Sequence, residues 1–155
     1  MATEPIIEQI MQNIESSINA ITEANDYNQD LKAVRPKRIN FLSESWNDKD
    51  VLLVQGIVEK LTTACGYTTW RQHISLMAIV TDPDSASDSI DTRQNRIRSD
   101  IEKKVMADIR QNSLAMDTEC LGAEPFVTDD GANSGISIEI TVDYRTKEDD
   151  PYSTA

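Results

Sequence analysis

The chain has 155 residues and a formal net charge of −12, so we expect one domain that folds around a modest core. The acidic balance argues against a nucleic-acid-binding protein of the usual basic kind and against a polybasic membrane-surface protein. No run of about 18 apolar residues is present, and the N-terminus lacks the positive region of a signal peptide. Cys65 and Cys120 form no Cys-x-x-Cys pair, so we expect free thiols and cytosolic synthesis.

The charge is unevenly distributed along the chain. Residues 117–155 hold ten acidic and two basic side chains, a balance of −8, whereas residues 1–116 contribute −4. The first part also contains a basic cluster, which consists of Lys32, Arg35, Lys37 and Arg38. Such an asymmetry describes interaction surfaces rather than the fold.

The first predicted element is a helix over about residues 4–24. Apolar residues recur there at steps of three and four and form one stripe: Ile7, Ile10, Met11, Ile14, Ile18 and Ile21. Thr3 is predicted to cap the helix start. A turn at residues 25–28 and a short strand at residues 30–35 follow, and Pro36 ends that strand because it cannot donate to a ladder.

A hairpin is predicted in the middle of the chain. Residues 39–50 lack periodicity and are interpreted as an irregular segment. Residues 51–61 and 67–80 are rich in β-branched and alternating residues, and residues 64–66 predict the turn between them. Gly56 lies inside the first of these strands and predicts a bulge.

A second helix and further strands are predicted in the rest of the chain. Residues 81–85 have the composition of a helix start, and apolar residues at 90, 97, 101, 105 and 109 predict a long helix over about 86–112. Residues 116–127 predict a weak strand and residues 128–135 a loop. Strict alternation from Ile136 to Arg145 predicts an antiparallel strand that is buried on one face.

These elements predict an α+β fold. We expect an antiparallel (mixed) sheet of about four to five strands, packed by two long amphipathic helices. Residues 1–147 form the single predicted domain, and residues 148–155 are expected to form a polar, acidic C-terminal tail.

The sequence offers little for catalysis or metal binding. The five glycines form no nucleotide-binding motif, and His73 is interpreted as an ordinary strand residue, with a hydrolase that uses it as a remote alternative. Asp82, Asp84 and Asp88 suggest a calcium loop, but Ser87 stands where an EF-hand requires glycine. Helix capping explains these aspartates. We therefore predict a non-enzymatic protein with no catalytic, cofactor or metal site.

The beginning and the end of the chain carry a family resemblance. The opening helix runs into the segment at residues 22–31 and then into a short strand through Val34 and Arg35. The chain closes with an alternating strand into Val-Asp-Tyr-Arg at 142–145, followed by Asp-Pro-Tyr at 150–152. With a hairpin and a long helix between them, this order resembles the tail terminator (tail completion) proteins of tailed bacteriophages.

The resemblance implies a structural subunit of the virion that is assembled in the host cytoplasm. Such subunits form a hexameric ring that sits on the last ring of the tail tube, ends tube polymerisation and offers a docking surface to the head–tail connector. In contractile phages the ring also meets the sheath protein. An acidic ring would let DNA pass through its lumen without holding it, because nothing neutralises the phosphates.

Three groups of residues are candidates for the protein interfaces of such a ring. They are Lys32, Arg35, Lys37, Arg38 and Trp46; Asp129 and Asp130; and Asp149, Asp150 and Tyr152. For Trp46 core filling is an equal alternative to an interface role, and the basic cluster could pair with acids of the same or a neighbouring subunit or contact nucleic acid. At the level of function the alternatives are another neck component (a head–tail stopper or adaptor) and an acidic protein that mimics nucleic acid.

Overall fold

The computed structural model describes residues 3–81 and 86–154, and it shows a mixed α+β fold with two helices and one sheet. The predicted α+β class is therefore confirmed. The elements in chain order are α1 (Ile6–Asn19), β1 (Lys32–Val34), β2 (Asp50–Ala64), β3 (Tyr67–Ile79), α2 (Ile90–Met106), β4 (Asp117–Val127), β5 (Ser134–Lys147) and β6 (Asp150–Thr154). Single 3₁₀ turns form at Glu23–Asn25 and Phe41–Ser43.

The strand order of the sheet is β1-β2-β3-β5-β4, and β6 pairs with the end of β5. β1 runs parallel to β2, and every other pair is antiparallel. The predicted hairpin is confirmed as β2–β3, and the predicted bulge at Gly56 is confirmed by a register shift between Gln55 and Val58. Beyond its short pairing with β1, β2 is one lateral edge of the sheet, and β4 is the other.

The core lies between one face of the sheet and the two helices. α1 buries most of the predicted stripe together with Ile6, which was not predicted, whereas Ile7 is only partly buried. α2 contributes three residues to the same core. The alternating residues of β3 and β5 face them, because successive strand side chains point to opposite faces. Core residues that are at most 1% exposed include Ile10, Met11, Ile14, Ile18, Ile74, Leu76, Ile101, Ile138 and Val142.

Both helices are shorter than the sequence predicts. α1 begins after Pro5, which stands at the N-cap, so the predicted cap by Thr3 is wrong. It ends at Asn19, whose side-chain oxygen accepts a hydrogen bond from the Ala33 N–H at 2.8 Å. This hydrogen bond holds β1 against the C-terminal end of α1. Ile21, two residues after the helix ends, is also fully buried.

α2 is bounded by local backbone chemistry that its apolar spacing does not reveal. It begins after Ser89, whose hydroxyl accepts the Thr92 N–H at 3.3 Å. Three consecutive residues at 111–113 have positive φ angles, between 47° and 66°, which no helix can contain. Ile109, placed on the predicted stripe, lies beyond the end of α2 at Met106, and both it and Ile90, the first residue of α2, are partly exposed. The predicted helix start at Asp82 and Asp84 lies outside the described residues.

The segment expected to be a polar tail forms β6. Asp149 adopts a left-handed conformation with φ at 63°, and this turn brings Asp150 opposite Lys147 and Thr154 opposite Thr146. The alternation rule could not predict the strand, because all five of its residues are polar or aromatic or proline. The loop prediction over 128–135 is also too long, since β5 already begins at Ser134.

Candidate assembly surfaces

The candidate residues lie at opposite ends of the sheet. Residues 36–49 and 128–133 form one end, which we call the loop end. The turns at residues 65–66 and 148–149 form the other, the hairpin end. β5 connects them with 14 residues, a distance of roughly 45 Å at the usual rise of a strand. The structure therefore brings Trp46 beside the loop that holds Asp129 and Asp130, through its bond to Asn133, whereas the basic cluster lies on the β1 side of the sheet and Asp149, Asp150 and Tyr152 lie at the hairpin end.

Two of the four cations in the basic cluster are paired within the subunit. Arg35 donates both terminal nitrogens to the carboxylate of Glu8 on α1, with Nη2 at 3.1 Å from Oε2. The Arg38 Nε lies 3.8 Å from a carboxylate oxygen of Glu44. Lys32 and Lys37 are exposed, and neither forms an ion pair with any residue of the described ranges. The charge available to a partner is thus carried by these two lysines and by Arg38, whose side chain is 76% exposed.

Trp46 is partly buried at the loop end and is held by its polar groups. Its indole N–H donates to the Phe41 carbonyl at 2.8 Å, and its backbone N–H donates to Asn133 Oδ1 at 3.3 Å. The Asn133 amide in turn donates to the carbonyls of Leu42 at 3.0 Å and Glu44 at 2.7 Å. This clamp joins the irregular segment to the loop before β5, and sequence reasoning gave Asn133 no role.

The two aspartates of the loop end differ in their local bonding. Asp130 accepts hydrogen bonds from the Ala132 N–H at 3.0 Å and from the Thr128 hydroxyl at 2.7 Å. The Ala132 bond is the larger cause, and both lower the pKa of Asp130 because they favour the charged form. Asp129 is exposed beside it. These bonds favour the negative charge of Asp130 at the loop end.

The residues at the hairpin end form a second acidic surface. Asp149 is exposed in the turn, and Asp150 accepts the Tyr152 N–H at 3.1 Å. A hydrogen bond from the Ser153 hydroxyl and this backbone bond lower the pKa of Asp150. Tyr152 is 47% exposed, so its ring is available to a partner.

The sheet face away from the helices carries paired polar side chains. Arg71 on β3 donates two hydrogen bonds of 2.8 Å to Asp143 on β5, which raise the pKa of the guanidinium. His73 Nε2 lies 2.8 Å from a carboxylate oxygen of Glu59, and Ser75 donates to Glu139 at 2.6 Å.

The single histidine is therefore part of this polar row. Asp88, the described member of the suggested calcium triplet, accepts from Arg96 at 2.8 Å. Within residues 3–81 and 86–154, no three or more His, Cys, Asp or Glu side chains are grouped to hold a metal ion. The helices of the same ranges are too short or too polar to cross a membrane.

No known family model matches the chain, and no curated protein sequence matches it significantly.

Proposed function

We propose that this chain is a non-enzymatic tail terminator protein of a tailed bacteriophage. In this proposal it forms a hexameric ring that caps the tail tube, ends tube polymerisation and presents a docking surface to the head–tail connector. The sheath protein is a further partner if the tail is contractile, and the mature location is the virion. The two helices serve as long amphipathic supports that keep the sheet rigid.

One observation carries the proposal, namely that the two lateral sides of the sheet differ in charge. The β1–β2 side carries three exposed lysines, Lys32, Lys37 and Lys60, and one exposed acid on β2, Glu59. The β4 side carries Glu119 and Glu124, also exposed, and the strand contains no basic residue. A surface that is complementary to a different surface of the same chain favours head-to-tail contacts, and these close into a ring when the rotation fits.

The test is the mass of the purified protein, measured by native mass spectrometry and by electron microscopy with and without isolated tail tubes. We expect a closed ring of six copies, and tubes that stop growing at a defined length when the ring is added during assembly. A strict monomer under both conditions would contradict the proposal.

A second candidate, another neck component, differs in its partner. A stopper or adaptor binds the portal-side proteins and leaves tube growth unchanged, so the same assembly assay with tube protein separates the two functions. A nucleic-acid mimic predicts a monomer or dimer that binds a DNA-binding protein, with an affinity that falls steeply as salt is raised.

A further inference from the structure

The two lateral edges of the sheet share an unusual feature, which is an apolar residue displayed at each bulge. On β2, Gly56 and Ile57 both lie opposite His73, and Leu61 has no partner in the ladder. On β4, Leu121 is likewise the extra residue between Cys120 and Gly122. A bulge turns such a side chain away from the regular pleat.

All three bulge residues are exposed to solvent in the isolated subunit. Ile57 is 74% exposed, Leu121 is 56% exposed and Leu61 is 40% exposed. β1 covers β2 only from Asp50 to Leu52, so the outer part of β2 has no neighbour on its lateral side. An exposed apolar residue at every bulge of both free edges indicates a contact surface rather than scattered exposure.

The contact that these edges can make is formed by side chains. The bulges interrupt the spacing of the main-chain groups on both edges, and Pro125 on β4 has no N–H to donate. Bulges and prolines are devices that keep edge strands from extending a sheet. Both edges can therefore still make a contact through their side chains, with apolar residues at its centre and charged residues around them.

The charged side chains of the β4 edge are all acidic, whereas the β1–β2 edge carries both signs. Glu59 and Lys60 lie between the two β2 bulges and Lys32 lies on the neighbouring β1, whereas Glu119 and Glu124 flank Leu121. β2 and β4 also run in opposite directions, because three antiparallel pairings separate them. A rotation about an axis along the strands preserves strand direction, so it brings β4 of one copy antiparallel to β2 of the next.

We propose that Ile57 on β2 of one copy packs against Leu121 on β4 of the adjacent copy, with Lys32 facing Glu124. The occupant of each edge is thus a second copy of this chain, bound through two different surfaces. This assignment rests on the ring of the proposed function and names the residues that hold the ring together.

The first experiment removes one half of the contact at a time. Ile57→Glu and Leu121→Glu place a charge where an apolar side chain is buried in the contact, so each should raise the dissociation constant between subunits at least tenfold, as measured by sedimentation velocity. The matched control is Ile90→Glu, because Ile90 is exposed but begins α2 near Thr81 at the loop end. Circular dichroism and the melting temperature establish that each variant is folded.

The second experiment mixes the two variants. The Ile57→Glu copy retains an intact β4 edge and the Leu121→Glu copy retains an intact β2 edge, so a mixture should form heterodimers that neither variant forms alone. A self-complementary contact through β2 would instead leave Leu121→Glu fully assembled, and this result would overturn the assignment.

The outcomes separate the assignment from the proposed function. If the wild-type protein forms a ring and both folded variants form it with unchanged affinity, the named edges are not the interface and the tail terminator function stands. If the wild-type protein is a monomer even with tail tubes present, the proposed function is wrong and the edge contact falls with it.

Discussion

Asn133 shows how a single buried residue fixes the loop end. It is 2% exposed, and its amide satisfies two carbonyls of the irregular segment while its oxygen accepts the Trp46 N–H. No hydrophobic pattern identifies it, because its role depends on bonds to residues 89 and 91 positions away in the chain. The sequence pattern predicts that Asn133 lies in the loop before β5, but it does not predict the hydrogen bonds of the clamp.

Replacing Asn133 by aspartate should destabilise the protein. A carboxylate has the same shape but no N–H, so the carbonyls of Leu42 and Glu44 lose their donor inside a buried site. The expected loss of unfolding free energy is about 1–3 kcal/mol, measured by urea denaturation. Asn40→Asp at an exposed position is the control and should change the free energy little. Equal stability of Asn133→Asp and the wild type would contradict the clamp.

Asp130 offers a prediction about pH at the same end of the molecule. Its pKa is lowered in the folded state, so its bonding stabilises the loop above the unfolded pKa near 4, and this contribution is lost as the pH falls through the folded pKa. Thr128→Val removes one of the two donors and should raise the pKa of Asp130 toward its ordinary value. Thr128→Ser keeps the hydroxyl and should preserve the shift.

The measurement is an NMR titration of the Asp130 carboxyl carbon in the three proteins. A pKa that is the same in the Thr128→Val variant as in the wild type would show that backbone N–H groups, chiefly that of Ala132, lower it without the hydroxyl. That result would contradict a role of the Thr128 hydroxyl in lowering the pKa of Asp130.

At the scale of elements, alternation and helical spacing were sufficient to predict strands and helices but not their limits. Burial against one core requires apolar residues at regular spacing along each element. The sequence shows this spacing in α1, in α2 and in β5. The helix ends leave no such pattern in the sequence: α1 ends at Asn19, whose side chain binds the returning chain, and α2 ends at Met106, before the left-handed residues 111–113 that exclude the predicted extension to residue 112. β6 is formed by pairing with β5 alone, so its polar residues left no pattern to find.

The same limit applies to the candidate surfaces. The basic cluster and the acidic loops were visible in the sequence because charge can be counted. The exposed residues Ile57, Leu61 and Leu121 were not, because an isoleucine or leucine in a strand is read as a core residue. Only the register of the strands shows that these three lie at bulges.

Gly135 tests the close packing of the central strands. A Cβ at this position would lie 1.8 Å from the Ala78 carbonyl oxygen, which is main chain and cannot move aside without displacing β3. Gly135→Ala should therefore lower the free energy of unfolding by about 3 kcal/mol or more.

The control is Gly56→Ala, because a Cβ there would meet the His73 carbonyl oxygen at 3.4 Å, so only a small change is expected. Thermal denaturation followed by circular dichroism measures both variants. If Gly135→Ala were as stable as the wild type, the Ala78 carbonyl oxygen could not lie as close to the Cα of residue 135 as the structure places it.

At the scale of the whole molecule, the charge distribution predicts how the protein meets DNA. Each copy carries a net charge of −12, and in the basic cluster Arg35 and Arg38 are paired with Glu8 and Glu44. Binding of a duplex depends on cations that replace the counterions of the phosphates. In the proposed ring, Lys32 faces the acidic edge of the next copy and is no longer free for this role.

We therefore expect the assembled protein to leave a fluorescent DNA duplex unbound at about 0.15 M salt. Its dissociation constant for the duplex should be weaker than the roughly 10⁻⁴–10⁻⁶ M of proteins that bind DNA non-specifically at this salt concentration. Fluorescence anisotropy measures this, with a salt series as the control for electrostatic binding. The Lys32→Glu, Lys37→Glu double variant identifies the source of any signal. If the wild type binds the duplex and this variant does not, the two lysines contact the phosphates. Free cations at the surface would then hold the duplex, and this result would exclude a ring lumen through which DNA passes without adhesion.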